Sequence, residues 1–391
     1  MQLPLNLTPP QNALNRPLRP LAFGVGYIIP LLAIWGAQTG GLAQFAVPLF
    51  VFGLIPVLDF VLGHYLHNPG QAETEALLNS FTFKLMTWLQ VPVQYGLIIG
   101  GAWLISQQNW SGLEQIGFTL SVGICTGGLG ITLAHELIHK VDRFERFLGQ
   151  ALLMPVCYLH FYIEHLYGHH RRVSTPDDPA SSRLGESFYS FYLRTVLGSW
   201  RSAWGIEKRR LEKQRLEKRR LGKRQQGLWS FHNRMINYSL LSGSFGLGLF
   251  LLWGPKALWF FIGQSIMAFS LLEAVNYVEH YGLERREIRP GVYEGVNIRH
   301  SWNANFLLTN CLLFMLQRHS DHHAHQSRRY PVLRQFEESP QLPAGYAGMI
   351  LLALLPPLWR KVMDPRVAAY REQLAAVPER SAASPQVSAN C

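Results

Sequence analysis

Six stretches of this 391-residue chain are apolar for long enough to cross about 30 Å of hydrocarbon. They fall at about 20–37, 42–63, 84–105, 113–134, 235–253 and 257–278, and each carries few or no charges. Inside a bilayer every backbone N–H and C=O needs a partner within the protein, which restricts spanning segments to helices and closed barrels. Stretches of this length are helical. The expected fold class is an all-α integral membrane protein of six transmembrane helices with a histidine-rich helical cap on the cytoplasmic side. Pro30, Pro48, Pro56 and Pro92 sit inside the stretches, where neighbouring helices make proline tolerable. Residues 150–163 are apolar but too short to span comfortably, and read as re-entrant or interfacial.

Charge is segregated along the chain. Charged residues make up 16% of it, against about 25% in soluble domains. Residues 1–140 hold nine of them, whereas 201–224 alone hold eleven Lys or Arg and three Glu. The links 38–41, 106–112 and 254–256 carry a single charge, Lys256. Positive loops stay on the cytoplasmic side, so six spans predict both termini and all large polar segments inside. Residues 1–19 lack the apolar core and small-residue cleavage site of a signal peptide, and the first span is expected to be retained. Cys125, Cys157, Cys311 and Cys391 lie far apart, which argues against a zinc ribbon, an iron–sulfur centre and a disulfide scaffold.

The histidines carry the chemistry. Nine of the fifteen fall into four clusters: His135 and His139; His165, His169 and His170; His280; His319, His322 and His323. Residues three and four apart share a helix face, so His135/His139, His165/His169 and His319/His322/His323 can each aim imidazoles at one point. A lone histidine in a membrane protein is usually an interfacial residue with a satisfied ring. Three clusters at ligand spacing, gathered at one membrane face, point instead to metal. Nine ligands exceed what one ion accepts, which argues for two metal ions.

Acidic residues neighbour these histidines. Glu136, Glu164, Glu279 and Asp321 adjoin ligand candidates, and Asp178 follows the second cluster. Metal-bound imidazole usually donates its other N–H to a carboxylate or carbonyl, so these acids are candidate partners. The plainer reading makes them helix-surface acids in water. Imidazole suits iron, copper, zinc and nickel alike, and ligand type leaves the metal open. His135-Glu136-Leu137-Ile138-His139 also matches the HExxH zinc-protease motif, but a protease needs one further ligand rather than seven more histidines.

Longer strings narrow the choice. The spacings HxxxH, HxxxHH and HxxHH on a multi-span scaffold resemble the membrane fatty-acid desaturase and hydroxylase superfamily. HELIHK at 135–140, EHLYGHHRRVSTPDDPASSRLGES at 164–187, NYVEHYGL at 276–283 and LQRHSDHHAH at 316–325 resemble the bacterial membrane alkane monooxygenases within it. NYVEHYGL discriminates best, because plain desaturases lack that element. IPVLD at 55–59 and MDP at 363–365 extend the resemblance, which covers residues 20–366. It implies a single membrane domain over 20–366, a cytoplasmic segment 1–19 and a flexible tail 367–391. It also implies a non-haem diiron site on the nine histidines, O₂ as co-substrate, and hydroxylation of the terminal methyl of medium-to-long-chain n-alkanes in a bacterial inner membrane. Three departures stand out: Ile138 where the family commonly has Gly, a long basic run over 207–227, and Glu273, an acid at membrane depth.

An inert methyl group offers no charge or hydrogen-bond handle, so it demands a redox metal and an apolar channel. Ile124, Gly128 and Ile131 lie membrane-side of His135 and His139, and Phe269 and Asn276 precede His280; all five are candidate channel walls, although ordinary helix packing accounts for them equally. The chain shows no dinucleotide fingerprint and no Cys₄ cluster. Resemblance implies electrons from reduced rubredoxin, itself served by rubredoxin reductase. The basic run 201–224 fits docking of that acidic protein or contact with anionic membrane lipids; nucleic acid is not an expected partner. Aromatic methyl, fatty acyl and terpene substrates remain as alternatives, as does a non-catalytic metal transporter.

Overall fold

The computed structural model describes residues 19–221 and 227–376. Among them, five helices are long and apolar enough to cross a membrane. The first four are α1 (Pro20–Thr39), α2 (Gly41–Leu62), α3 (Phe81–Gln107) and α4 (Gly112–Ile138). Then come α5 (Arg143–Leu153), a short helix α6 over 161–172, α7 (Phe188–Arg220), and the fifth long apolar helix, α8 (Arg234–His280). The C-terminal part adds α9 (His319–Ala324) and α10 (Pro356–Ala376). A two-stranded ribbon, Glu287–Arg289 against Val292–Tyr293, is the one sheet among the described residues.

α8 is not a single rod. Gly254 adopts φ 76°, a left-handed backbone that glycine accepts without a Cβ clash, and Pro255 starts the next turn. The rings of Phe245 and Phe261 lie 5.7 Å apart. In an unbroken helix, sixteen residues would hold them about 24 Å apart. The arms 234–253 and 255–280 therefore fold back on each other, matching the fifth and sixth apolar stretches.

α4 is the most enclosed of the apolar helices and α2 the least. At its start Ser111 and Glu114 form a capping box, and a Glu114 carboxylate oxygen also accepts from the Gly41 N–H at 2.7 Å, tying two short links together. Exposed Leu21, Trp35, Phe60 and Trp259 mark the outer apolar faces. Buried Asp59 of α2 accepts from the backbone N–H and hydroxyl of Thr309, fixing the segment that leads to α9.

The short apolar stretch at 150–163 is largely buried within the protein, with Cys157 exposed. α5 ends at Leu153, the chain turns through Cys157 at φ 57°, and the freed carbonyls find donors on α8. Ser242 Oγ donates to Met154 O at 2.9 Å and Gln264 Nε2 to Pro155 O at 2.8 Å. Irregular backbone at such depth requires this kind of satisfaction.

Hydropathy alone missed α7, a 33-residue helix whose charges break the apolar run. It buries Phe188, Phe191, Thr195, Ser199 and Ala203 and exposes Tyr189, Leu193, Leu197 and Trp200, so its first half is apolar on the outer face as well as the inner one. The expected tail also needs correction: residues 367–376 continue α10, with Val367 and Tyr370 buried. Residues 1–18, 222–226 and 377–391 lie outside the described residues, and with them most of the expected N-terminal segment, part of the basic run and the rest of the expected tail.

Candidate metal centre

The nine clustered histidines are all buried and meet in two groups. His135, His139, His165, His170 and His322 form one; His169, His280, His319 and His323 form the other. Within each group the ligand nitrogens lie within 4.8 Å of one another. His165 Nε2 stands 3.0 Å from both His139 Nε2 and His170 Nε2, His322 Nε2 3.2 Å from His170 Nε2, and His323 Nε2 2.9 Å from His319 Nε2. Metal–imidazole bonds of about 2.1 Å set at right angles place neighbouring nitrogens about 3.0 Å apart. The groups adjoin, with the His170 and His323 rings 4.4 Å apart.

This partition differs from the one that helix spacing suggests. His165 pairs with His170 rather than His169, because residues His165–His169 form a π-helical turn. A π turn closes on the fifth residue, so i and i+5 share a face while His169 rotates toward the other group. On α9, His319 and His323 share a group at the α-helical i, i+4 spacing, and His322 faces the first group. Of the three predicted sets, only His135/His139 falls whole into one group.

The residues fit a metal. Nε2 of His135, His169 and His280 is buried without a hydrogen-bond partner. Buried polar atoms are almost always satisfied, and a bound ion supplies what these lack. Burial first, and then crowding by neighbouring imidazoles, holds His139, His165, His170, His319, His322 and His323 well below the usual histidine range, in the neutral form that binds metal.

Of the five acids, two touch histidines of the two groups. His169 Nδ1 donates to Asp178 Oδ2 at 2.8 Å, and Ser181 Oγ donates to the same oxygen at 2.6 Å. Burial would lower His169, but the Asp178 carboxylate outweighs it and raises the imidazole. Glu279 Oε2 lies 3.1 Å from His319 Nε2, and its other oxygen accepts from Tyr346 Oη at 2.6 Å.

The other three acids brace the cap. Glu136 accepts from Lys140 at 2.8 Å and from the Tyr330 N–H at 3.2 Å. Glu164 accepts from Arg172 at 2.9 Å and Ser202 at 3.2 Å, and burial, then the Asp178 charge, pushes its carboxyl up to about 7. A Cβ at Gly168 would run into that Glu164–Arg172 pair, which explains glycine in the middle of α6. Asp321 binds His325, Arg328 and Arg334, clamping the loop after α9. Spacing gave no hint of Tyr346, nor of buried Arg318, which donates to the carbonyls of Tyr65, His67 and Leu333 and anchors α9.

An apolar cavity runs from Ile29, Val51 and Phe52 to His135 and His165 of the first group and His319 of the second. Ile124, Gly128, Ile131 and Asn276 line it; Phe269 does not, and stacks on Tyr158 with ring centroids 5.1 Å apart. Among the described residues Glu273 pairs with no cation and accepts from Tyr158, Thr195 and Asn276. Of the histidines outside the two groups, His67 pairs with Glu73, His300 with Glu294 and His325 with Asp321, while His64 stacks on Phe306.

Residues 114–353 match the fatty acid desaturase family. The chain is 47% identical to alkane 1-monooxygenase 2 of Pseudomonas aeruginosa over 348 residues, covering 88% of this chain and 89% of that protein. Alkane 1-monooxygenase 2 of Alcanivorax borkumensis is 44% identical, with 88% of each chain covered. The hydroxylase component of a xylene/toluene monooxygenase from Pseudomonas putida is 29% identical over 311 residues, 78% of this chain and 80% of that one. With its histidine centre and membrane helices, the chain belongs to the fatty acid desaturase family and, within it, to the alkane 1-monooxygenases.

Proposed function

We propose that this protein hydroxylates the terminal methyl group of medium-to-long-chain n-alkanes, consuming O₂, two electrons and two protons and yielding a 1-alkanol and water. The observation that carries the reading is the apolar cavity ending on imidazoles of both histidine groups. Two irons would be held there, one by the five-histidine group and one by the four-histidine group. Bound iron supplies O₂ activation, a redox chemistry that no side chain provides.

The chain's own residues do the rest. Ile29, Phe52, Ile124 and Ile131 offer an alkane only apolar contact, so burial and shape hold it and water gains no foothold. Asp178 fixes the tautomer of His169, leaving Nε2 for the metal. Tyr346 restrains Glu279 at the end of the cavity that meets the histidines. The membrane domain makes six crossings in a bacterial inner membrane, with both arms of α8 spanning and the metal end facing the cytoplasm.

Electrons come from reduced rubredoxin, supplied in turn by rubredoxin reductase. Exposed Arg209, Lys213, Arg219 and Arg220 near the end of α7 give an acidic donor a positive face. Arg210 does not belong to that face: it turns inward onto Glu207, which also holds Arg234.

The likeness to a xylene/toluene hydroxylase component keeps aromatic methyl groups as a second substrate class, but the alkane 1-monooxygenases are considerably closer in sequence. The test is turnover of purified protein with reduced donor under ¹⁸O₂, using n-octane, n-hexadecane and p-xylene in parallel. Labelled 1-alkanol as the main product supports the reading; a benzylic alcohol from p-xylene with no 1-alkanol overturns it.

A further inference from the structure

His280 stands alone in sequence among the nine histidines and is the last residue of α8. The final turn of a helix has carbonyls without intrahelical partners and opens readily. An imidazole placed there keeps its aim only if the chain beyond it is held. Among the described residues no carboxylate holds the ring: it meets Ser301 Oγ at 3.5 Å and the His300 backbone. His169 and His319, by contrast, each have a carboxylate oxygen close by, at 2.8 and 3.1 Å.

The chain around His280 is held from two sides. Trp302 brackets it, donating its backbone N–H to Glu279 O at 2.8 Å and its indole N–H to Tyr281 O at 2.9 Å. The C-terminal helix α10 supplies the other side. Tyr281 Oη donates to Asp364 Oδ1 at 2.7 Å and accepts from the Gly185 N–H at 2.8 Å. One buried phenol thus joins the end of α8 to α10 and to the segment that leads into α7. The Trp359 ring of α10 packs edge to face on Tyr281, with centroids 5.2 Å apart, and Arg371 Nη2 donates to Gly282 O at 2.7 Å. Gly282 has φ 68°, and a Cβ there would lie 3.0 Å from Val367 of α10, so turn and helix fit closely.

We propose that Asp364 and Tyr281 are positioning residues for the four-histidine group, through which α10 fixes the direction in which His280 presents Nε2. The inference rests on the two-iron reading above. Nε2 of His280 is buried without a hydrogen-bond partner, as a ligand atom awaiting its ion would be. The five-histidine group takes no ligand from α8, so the influence of α10 falls on one ion and not on the other. This gives the MDP element at 363–365 a role: Met363 seats α10 in the core, and Asp364 supplies the acceptor.

The test follows ferrous iron bound to the full chain in detergent, by competitive chelator titration and by the Mössbauer spectrum of ⁵⁷Fe, without donor or alkane. Tyr281→Phe keeps the ring on Trp359 and removes the hydroxyl. It should weaken the ion of the four-histidine group about fivefold, the worth of one hydrogen bond, and alter that ion's quadrupole doublet. The other ion should keep its affinity and its doublet; His323→Ala and His322→Ala supply the reference spectra. Asp364→Leu should repeat the effect, and serves if Tyr281→Phe fails to fold. Asp364→Asn keeps an acceptor oxygen and should bind both ions as wild type does. Tyr370→Phe removes another hydroxyl of α10, one that donates to Glu338 O, and should weaken neither ion. Equal weakening of both ions by Tyr281→Phe, the same loss in Tyr370→Phe, or wild-type binding in both Tyr281→Phe and Asp364→Leu would overturn the proposal. A wild type that takes no ion at the four-histidine group removes the two-iron reading and this inference with it; two ions at wild-type affinity in every variant remove the inference alone.

Discussion

His165 and His170 stand five residues apart in sequence, yet their Nε2 atoms lie 3.0 Å from each other, while His169 between them turns to Asp178 and the opposite histidine group. One π turn thus lets a single short helix feed both groups. Metal stoichiometry should follow this division. His323→Ala removes one of four nitrogens and should leave about one ion per chain, retained by the five-histidine group; His322→Ala should weaken the other ion instead. Metal content by mass spectrometry, with spectroscopy on the remaining ion, checks it. The same residual spectrum in both variants would contradict the partition.

Asp178 and Asp321 look alike in sequence and differ in role. Asp178→Asn loses the anionic acceptor for His169 Nδ1 and should weaken metal binding about 10–100-fold, the usual cost of losing such a partner. Asp321→Asn should loosen the loop held by Arg328 and Arg334, seen as faster proteolysis there, with far less effect on affinity. Competitive chelator titration of both variants separates them.

The cations of α7 divide into an outward set and an inward one, and substitution should tell them apart. Neutralising Arg209, Lys213, Arg219 and Arg220 together should raise the apparent Michaelis constant for the donor and flatten its salt dependence, since exposed charges are screened over about 8 Å. Iron content should not change. Arg210→Gln should act differently, lowering stability by weakening the bonds around buried Glu207. If the four-fold variant and wild type respond to salt identically, the run contacts lipid rather than donor.

Ile138 packs closely against Gly149 of α5. A Cβ at Gly149 would lie 2.7 Å from Ile138 Cγ2 and 3.0 Å from Ala134 O. Gly149→Ala should therefore cost about 1–3 kcal/mol by overpacking, with Ile138→Ala restoring part of the loss. Thermal unfolding in detergent reads both.

Cavity length should respond to Gly128, which lines the cavity and has open space where a Cβ would stand. Gly128→Phe should shorten the longest alkane hydroxylated while iron content stays constant. An unchanged product range would remove this cavity from the substrate path.

The nine histidines that gather in the two groups were recognisable in sequence as candidate ligands because metal binding needs particular residue types at helical pitch. Their division between the groups was not. HxxxHH reads the same on an α-helix and on a π turn, and only backbone hydrogen bonding tells them apart. The acids were recognisable as a set, but adjacency to a histidine does not decide contact: Asp321 sits between His319 and His322 and faces arginines, while Asp178, eight residues beyond His170, reaches His169. Apolar length located the long apolar helices and even both arms of α8, yet it overlooked α7, where the charged second half interrupts the apolar run. Phe269 shows the same limit within one helix, since a residue near the site in height can still turn away from the cavity and stack on Tyr158.

The most direct test of the central claim is an anaerobic titration of apoprotein with ferrous iron, followed by one turnover with reduced donor, O₂ and n-octane. The measured quantity is 1-octanol formed per chain against iron bound per chain. Two cooperating groups require product to stay low up to one equivalent if that ion fills a single group, and to saturate at two. Product saturating at one equivalent, or none at two equivalents of bound iron, would contradict a dinuclear oxygenase built on these nine histidines.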